Sequence, residues 1–283
     1  MIRKPYFSPD DFLAQNEELG LGLPYQEDVS VFRKPLVFRG KEVKNRLVCQ
    51  AMEGCDGTPE GRPGELTLRR YDRFAEGGAG MIWVEASAVL PEGRANPRQL
   101  YITEENLESF QRLADRIREK AVKKTGKAPL LVLQITHSGR YSKPHGFPEP
   151  LIAYQNPIFE KDAPIDPSRI LSDSDLDRVG EALVKGASLA EKAGFDGADI
   201  KCCHRYLNSE LLSAYTREGR YGGSFENRTR LLRESVAGAR EICSDSFIVT
   251  TRLNVYDGFP IPTVSACPRK AGLPLTKKSR CGF

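Results

Sequence analysis

The chain has 283 residues, with 42 Lys and Arg against 38 Asp and Glu for a formal charge of +4, and is 40% apolar and 28% charged. No apolar run approaches the roughly 18 residues of a membrane span, and no signal-peptide core follows Met1, so the expectation is a soluble cytoplasmic enzyme with no membrane partner. Seven cysteines, an odd number without any Cys-x-x-Cys, predict free thiols rather than a disulfide framework.

In chain order, the first strong apolar run is MIWVEA from Met81. A helix follows, plausibly capped by Thr103, with Leu107, Phe110, Leu113, Ala114 and Ile117 on its buried side and its end before Gly126. LLVLQI, from Leu130, is the next strand candidate. Ser172 and Asp175 then form an S-x-x-D capping box, predicting a helix to Ala193 with Leu176, Val179, Leu183 and Ala190 inward and Gly194 as its stop. Phe195 to Ile200 reads as a short buried strand. A further helix puts Leu231, Leu232, Val236 and Ala239 inward, and FIVTTRL follows from Phe247. Runs suited to strands buried on both faces, alternating with amphipathic helices, predict parallel strands joined by crossover helices.

The end of the Phe195–Ile200 strand delivers Lys201, His204 and Tyr206 in quick succession. A cation, an imidazole and a phenol leaving one strand end form a polarising and proton-donating set. Taken singly, His204 and Tyr206 would read as ordinary loop residues. His137, His145 and His204 show no metal-ligand spacing, and no Ser or Cys nucleophile elbow occurs, so a hydrolase is poorly supported.

AGFDGADI, KCCHRYL and REGRYGGSFENR, read in that order with KNRLVCQAM at Lys44–Met52, MIWVEASAV at Met81–Val89, LVLQITHSGR at Leu131–Arg140 and FIVTTRLNVYDG at Phe247–Gly258, resemble the old yellow enzyme family. These are FMN-carrying NADH:flavin oxidoreductases on a (β/α)8 TIM barrel, an α/β fold. The resemblance implies a strand-four loop scaffold at Tyr221–Arg228, with Gly222 and Gly223 in a tight turn and an ion pair between Glu226 and Arg228. It also implies that His137 packs near the site without acid–base work and that Cys202 and Cys203 are small packing residues.

For the cofactor, the resemblance assigns Ala51, Met52 and Ala86 to the flavin ring and Gln134 and Arg252 to its pyrimidine side. Glu53 stands where some members carry a redox-tuning cysteine. Gln134 alone would read as a satisfied core polar residue. For the substrate, Lys201 and His204 would hold the carbonyl oxygen of an α,β-unsaturated compound, and Tyr206 would protonate its α-carbon after hydride transfer from NADH or NADPH through FMN. Lys201 stands where the family has His or Thr, and its charge is expected to favour acidic substrates. Arg205 replaces a glycine, at a cost if the backbone there needs positive φ.

A full barrel takes about 250 residues and each βαβ unit roughly 30, yet only 31 residues remain from Leu253 onward. About five of eight units are therefore expected: an N-terminal extension and lid hairpin at 1–43, a partial FMN-binding barrel at 44–258 and an irregular basic, Pro-rich tail at 259–283. That tail has no Asp or Glu and five cations. It is read as a C-terminus not the family's own, produced by truncation or a frame change, against a solvated basic tail for an acidic partner; aromatic interleaving of the nucleic-acid type is absent. Loops after strands seven and eight hold phosphate in such barrels, so weak FMN retention is expected. The functional alternative is a non-catalytic remnant, or a segment that needs a partner chain; a homo-oligomer stays open.

Overall fold

The apolar runs do form a parallel sheet in the computed structural model, which describes residues 8–254. A hairpin, β1 (Leu36–Phe38) and β2 (Lys41–Val43), precedes five parallel strands: β3 (Val48–Cys49), β4 (Met81–Ala88), β5 (Leu130–Thr136), β6 (Gly197–Ile200) and β7 (Ile248–Thr250). They lie in the order β3-β4-β5-β6-β7, each beside its successor in the chain. The expected fold class is thus met: an α/β, TIM-barrel-type arrangement with five parallel strands and four crossover helices among the described residues. The tail at 259–283, with Cys267 and Cys281, lies outside the described residues.

Every residue of β5 is buried, because helices cover one face and the barrel interior the other. β3 and β7 are the edges of the described sheet, and both ladders are shorter than the apolar runs suggest. Each has a neighbour on one side only, so pairing lapses where the run diverges from it. An isolated bridge from Leu253 to Cys202 continues β7.

A first helix, α1 (Pro9–Glu18), precedes the hairpin, and the crossover helices are α2 (Glu65–Glu76), α3 (Leu107–Thr125), α4 (Asp173–Lys192) and α7 (Arg230–Ile242). In α3, Phe110, Leu113, Ala114, Ile117 and Ala121 keep 3–4 spacing and are buried; Gly126 ends the helix at φ 77°, a conformation costly for any residue with a Cβ. Thr103 does not cap it. The N-cap is Asn106, and the Thr103 hydroxyl accepts from the Asn106 amide in the turn before it. In α4 the Ser172–Asp175 box forms as expected. Ile82, Val84, Leu131, Leu133, Leu176 and Leu183 belong to one core joining sheet and helices.

The hairpin sits at the N-terminal end of the sheet. Val43 packs with Leu130 and Ile248, and Lys41 pairs at 2.9 Å with Asp196, just ahead of β6. The opposite end is left for the site, as in barrel enzymes generally.

Two short helices, α5 (Leu207–Leu211) and α6 (Phe225–Arg228), follow β6. The expected Glu226–Arg228 ion pair does not form. Residues two apart on a helix point to different sides; Glu226 is exposed, while Arg228 donates to the carbonyls of Gly223 and Leu212 and lies 3.8 Å over the Tyr215 ring. Tyr221 donates to Asp177 on α4 at 2.6 Å. A Cβ on Gly222 would fall 2.1 Å from the Arg217 carbonyl oxygen. Gly222→Ala should therefore destabilise the fold by about 1–3 kcal/mol through overpacking; an unchanged denaturation midpoint would contradict this.

Candidate active site

Lys201, the residue after β6, donates its backbone amide to the Ile135 carbonyl at 3.0 Å, which fixes its Cα on the rim of the sheet. Its side chain is buried, and Nζ donates to Glu53 Oε1 at 2.5 Å. The Tyr206 hydroxyl donates to the other oxygen, Glu53 Oε2, at 3.0 Å. Lys201 Nζ also lies 3.6 Å from the centroid of the Tyr206 ring, a cation–π contact. Three side chains thus form one closed cluster. The Lys201 charge, expected to favour acidic substrates, is paired here with Glu53.

The chain reaches this geometry through two successive left-handed residues, His204 at φ 59° and Arg205 at φ 58°. The positive φ expected where Arg replaces Gly is therefore present, and it extends one residue earlier. The turn brings Tyr206 back over Lys201 and leaves His204 exposed on the rim, its ring edge-on to Tyr206 at 6.5 Å. Burial, with Lys201 and Arg252 nearby, lowers the His204 pKa. Burial first, and then the Glu53 carboxylate, push the Tyr206 phenol far above its ordinary value.

Glu53 is held by a support that the sequence reading missed. Arg70 from α2 donates to the Met52 carbonyl at 3.1 Å, to Asp56 at 2.8 Å and to Glu85 at 2.7 Å. Glu85 from β4 accepts from the Gly54 amide at 2.7 Å, and its own amide donates to Tyr71. The backbone is gripped on both sides of Glu53. The available signal was Glu85 itself, a carboxylate inside an apolar strand.

The residues assigned to a flavin ring meet at the same end of the sheet. Ala51 and Ala86 are buried, and Met52 is exposed. Arg252 Nη1 makes a long 3.4 Å bond to the Ala51 carbonyl. Gln134 Nε2 donates to Asp199 at 2.6 Å, and the other Asp199 oxygen accepts the Arg252 amide at 2.7 Å. Asp199, also missed, ties the two together; burial raises its pKa. Cys202 and Cys203 are wholly buried and fill space as expected. His137 is buried too, its pKa pushed down to about 4 by burial, so it is neutral at pH 7.

The segment after β5 closes the rim. Tyr141 stands 5.8 Å from Tyr206, and the Phe159 ring is clasped between the Arg140 and Arg205 guanidiniums at 4.7 and 4.9 Å. Arg140 pairs with Glu160 and, at 2.8 Å, with Glu210 on α5. One guanidinium shared by two buried carboxylates leaves burial dominant at Glu210, whose pKa is pushed up to about 7. The folded state thus binds more protons than the unfolded chain between about pH 4.5 and 7. Stability should fall by about 3 kcal/mol as pH rises through that window, then level off. Glu210→Gln should flatten this slope in pH-dependent denaturation; an unchanged slope would exclude Glu210 as its source.

A family model described as the NADH:flavin oxidoreductase / NADH oxidase family matches residues 30–262. The chain is similar to the NADPH dehydrogenase of Geobacillus sp. strain WCH70, 32% identical over 231 residues, which are 80% of this chain and 64% of that one. Among solved structures it is similar to the 2-naphthoyl-CoA reductase complex, with TM-score 0.70 and 23% identity over 81% of this chain and 36% of that one. The Old Yellow Enzyme from Pichia sp. AKU4542 gives 0.67 and 24%, over 81% and 61%. At these identities the two structures show the fold. The chain spans under two-thirds of the length of the Geobacillus relative. On the match across most of its length, this chain belongs to the NADH:flavin oxidoreductase / NADH oxidase family.

Proposed function

We propose that the chain serves an FMN-dependent ene-reductase, in which reducing equivalents from NADH or NADPH reach the C=C bond of an α,β-unsaturated carbonyl compound. The observation that carries this reading is the convergence of the Lys201 ammonium and the Tyr206 hydroxyl on the two oxygens of one carboxylate, at the C-terminal end of the sheet. An ammonium and a hydroxyl side by side suit a substrate whose carbonyl Lys201 polarises, drawing electron density off an alkene that lies within reach of the hydroxyl. Tyr206, held protonated by its surroundings, is a proton donor for the α-carbon.

The residues present fit a flavin. Arg252 is partly exposed, and among the described residues its guanidinium makes one long bond, leaving donors for an electron-rich ring edge. FMN would be held there by Arg252 and Gln134 beside Ala51, Met52 and Ala86, and when bound it supplies hydride transfer between nicotinamide and substrate. His204, on the rim, is the second candidate donor to the substrate oxygen. No described helix is long and apolar enough to cross a membrane.

A second reading is supported by the sheet itself. β3 and β7 pair on one side only among the described residues, so a segment that covers these edges would complete the site. The test of both is titration of the purified chain with FMN, followed by NADPH oxidation dependent on an enone such as 2-cyclohexenone. Stoichiometric flavin retention with enone-dependent turnover supports the first reading. Retention without turnover on any enone would sink it, and no retention would leave only the second.

A further inference from the structure

Glu53 occupies the very place a substrate oxygen needs, between Lys201 Nζ at 2.5 Å and the Tyr206 hydroxyl at 3.0 Å. It is not a stray surface side chain. Arg70 and Glu85 bind the Met52 carbonyl and the Gly54 amide on either side of it, so its backbone is fixed by groups from α2 and β4. Arg252 and Asp199 also lie at this end of the sheet, with Arg140, Arg205, Glu160 and Glu210 on the rim and Arg70, Asp56 and Glu85 behind Glu53; the Asp199 carboxylate accepts from the Arg252 backbone amide and the Gln134 side chain. The carboxylate in direct contact with the Lys201 ammonium is Glu53.

We propose that Glu53 is the specificity-determining residue of this pocket: it cancels the Lys201 charge and fills the acceptor position, so that uncharged carbonyl ligands are admitted and carboxylates are refused. A neutral carbonyl can share Lys201 while the Glu53 carboxylate pivots off Tyr206 and keeps its ion pair. A carboxylate ligand would put two anions on one ammonium whose side chain is only 2% exposed, and the second anion would have to compete with the flavin for Arg252. Calling the pocket a substrate site rests on the proposed function; the charge selection is read separately from it.

The test compares benzamide with benzoate, two probes of similar shape that differ in charge, by calorimetric titration of the full chain with and without FMN. The wild type is expected to favour benzamide at least tenfold. Glu53→Gln leaves Lys201 unmatched and should invert the preference, and adding Lys201→Met should abolish the gain for benzoate. Lys201→Met alone, which serves if the Glu53 variant does not fold, should deepen the preference for benzamide. Equal binding of the two probes by wild type, absence of benzamide binding, or a ratio unmoved by either substitution would overturn the proposal. Inverted selectivity without enone turnover would retire the ene-reductase reading and leave the charge selection standing.

Discussion

Tyr206→Phe should slow enone reduction by about 10²–10⁴-fold, the usual contribution of a positioned general acid, while leaving flavin reduction by NADPH unchanged. In the proposed reaction the hydroxyl is the atom that separates the two half-reactions. It lies 3.0 Å from Glu53 Oε2 in the substrate-side cluster, whereas the proposed ring contacts, Arg252, Gln134 and Ala51, belong to the Asp199 network. Phe keeps the ring, and with it the cation–π contact to Lys201 Nζ and the packing against Tyr141. The loss therefore reports the proton. Stopped-flow measurement of each half-reaction is the check, and equal slowing of both would mean that Tyr206 shapes the site without donating to substrate.

Arg70→Ala should destabilise the fold by about 3–5 kcal/mol, the cost of stranding one member of a buried ion pair. Glu85 is 1% exposed at its side chain, and burial already raises its pKa despite Arg70. Without the guanidinium, Glu85 must stay charged in an apolar strand or take up a proton. For a chain of this size the loss corresponds to a fall in Tm of roughly 6–20 °C. Converting both partners, Arg70→Met with Glu85→Leu, should recover part of it, since removing both charges avoids leaving one unpaired. A shift below about 2 °C for Arg70→Ala would show that water or another cation reaches Glu85. The substitution also frees the backbone beside Glu53, so its ligand selectivity should relax with it.

Local patterns carried most of the fold. The capping box at Ser172, the stop at Gly126 and the apolar faces of α3 and α4 are decided within one or two helical turns, which is why they could be read from the residues. Thr103 went astray for the same reason: an adjacent Asn106 serves as the N-cap, and Thr103 is left to close the turn before it. At the site, the position of Lys201, His204 and Tyr206 at a strand end was legible. Glu53 was placed with the cofactor residues, and its pairing with Lys201 and Tyr206 was not legible, because it lies 148 residues from Lys201 and no local spacing records that approach. The same limit hid Asp199, which reaches Gln134 across 65 residues. The exposed position of His204 depends on two consecutive left-handed residues, and only the second was anticipated.

The strand order has a consequence for how the protein acquires its shape. Because each parallel strand lies beside the next one in sequence, β4 on β3, β5 on β4 and so through β7, no strand pairing among the described residues must wait for a distant part of the chain. During synthesis each newly completed strand and helix finds its docking surface already made, so the sheet can grow from the N-terminal side one unit at a time. Lys201 and Tyr206 then arrive beside a loop at Glu53 that β4 and α2 have already set in place.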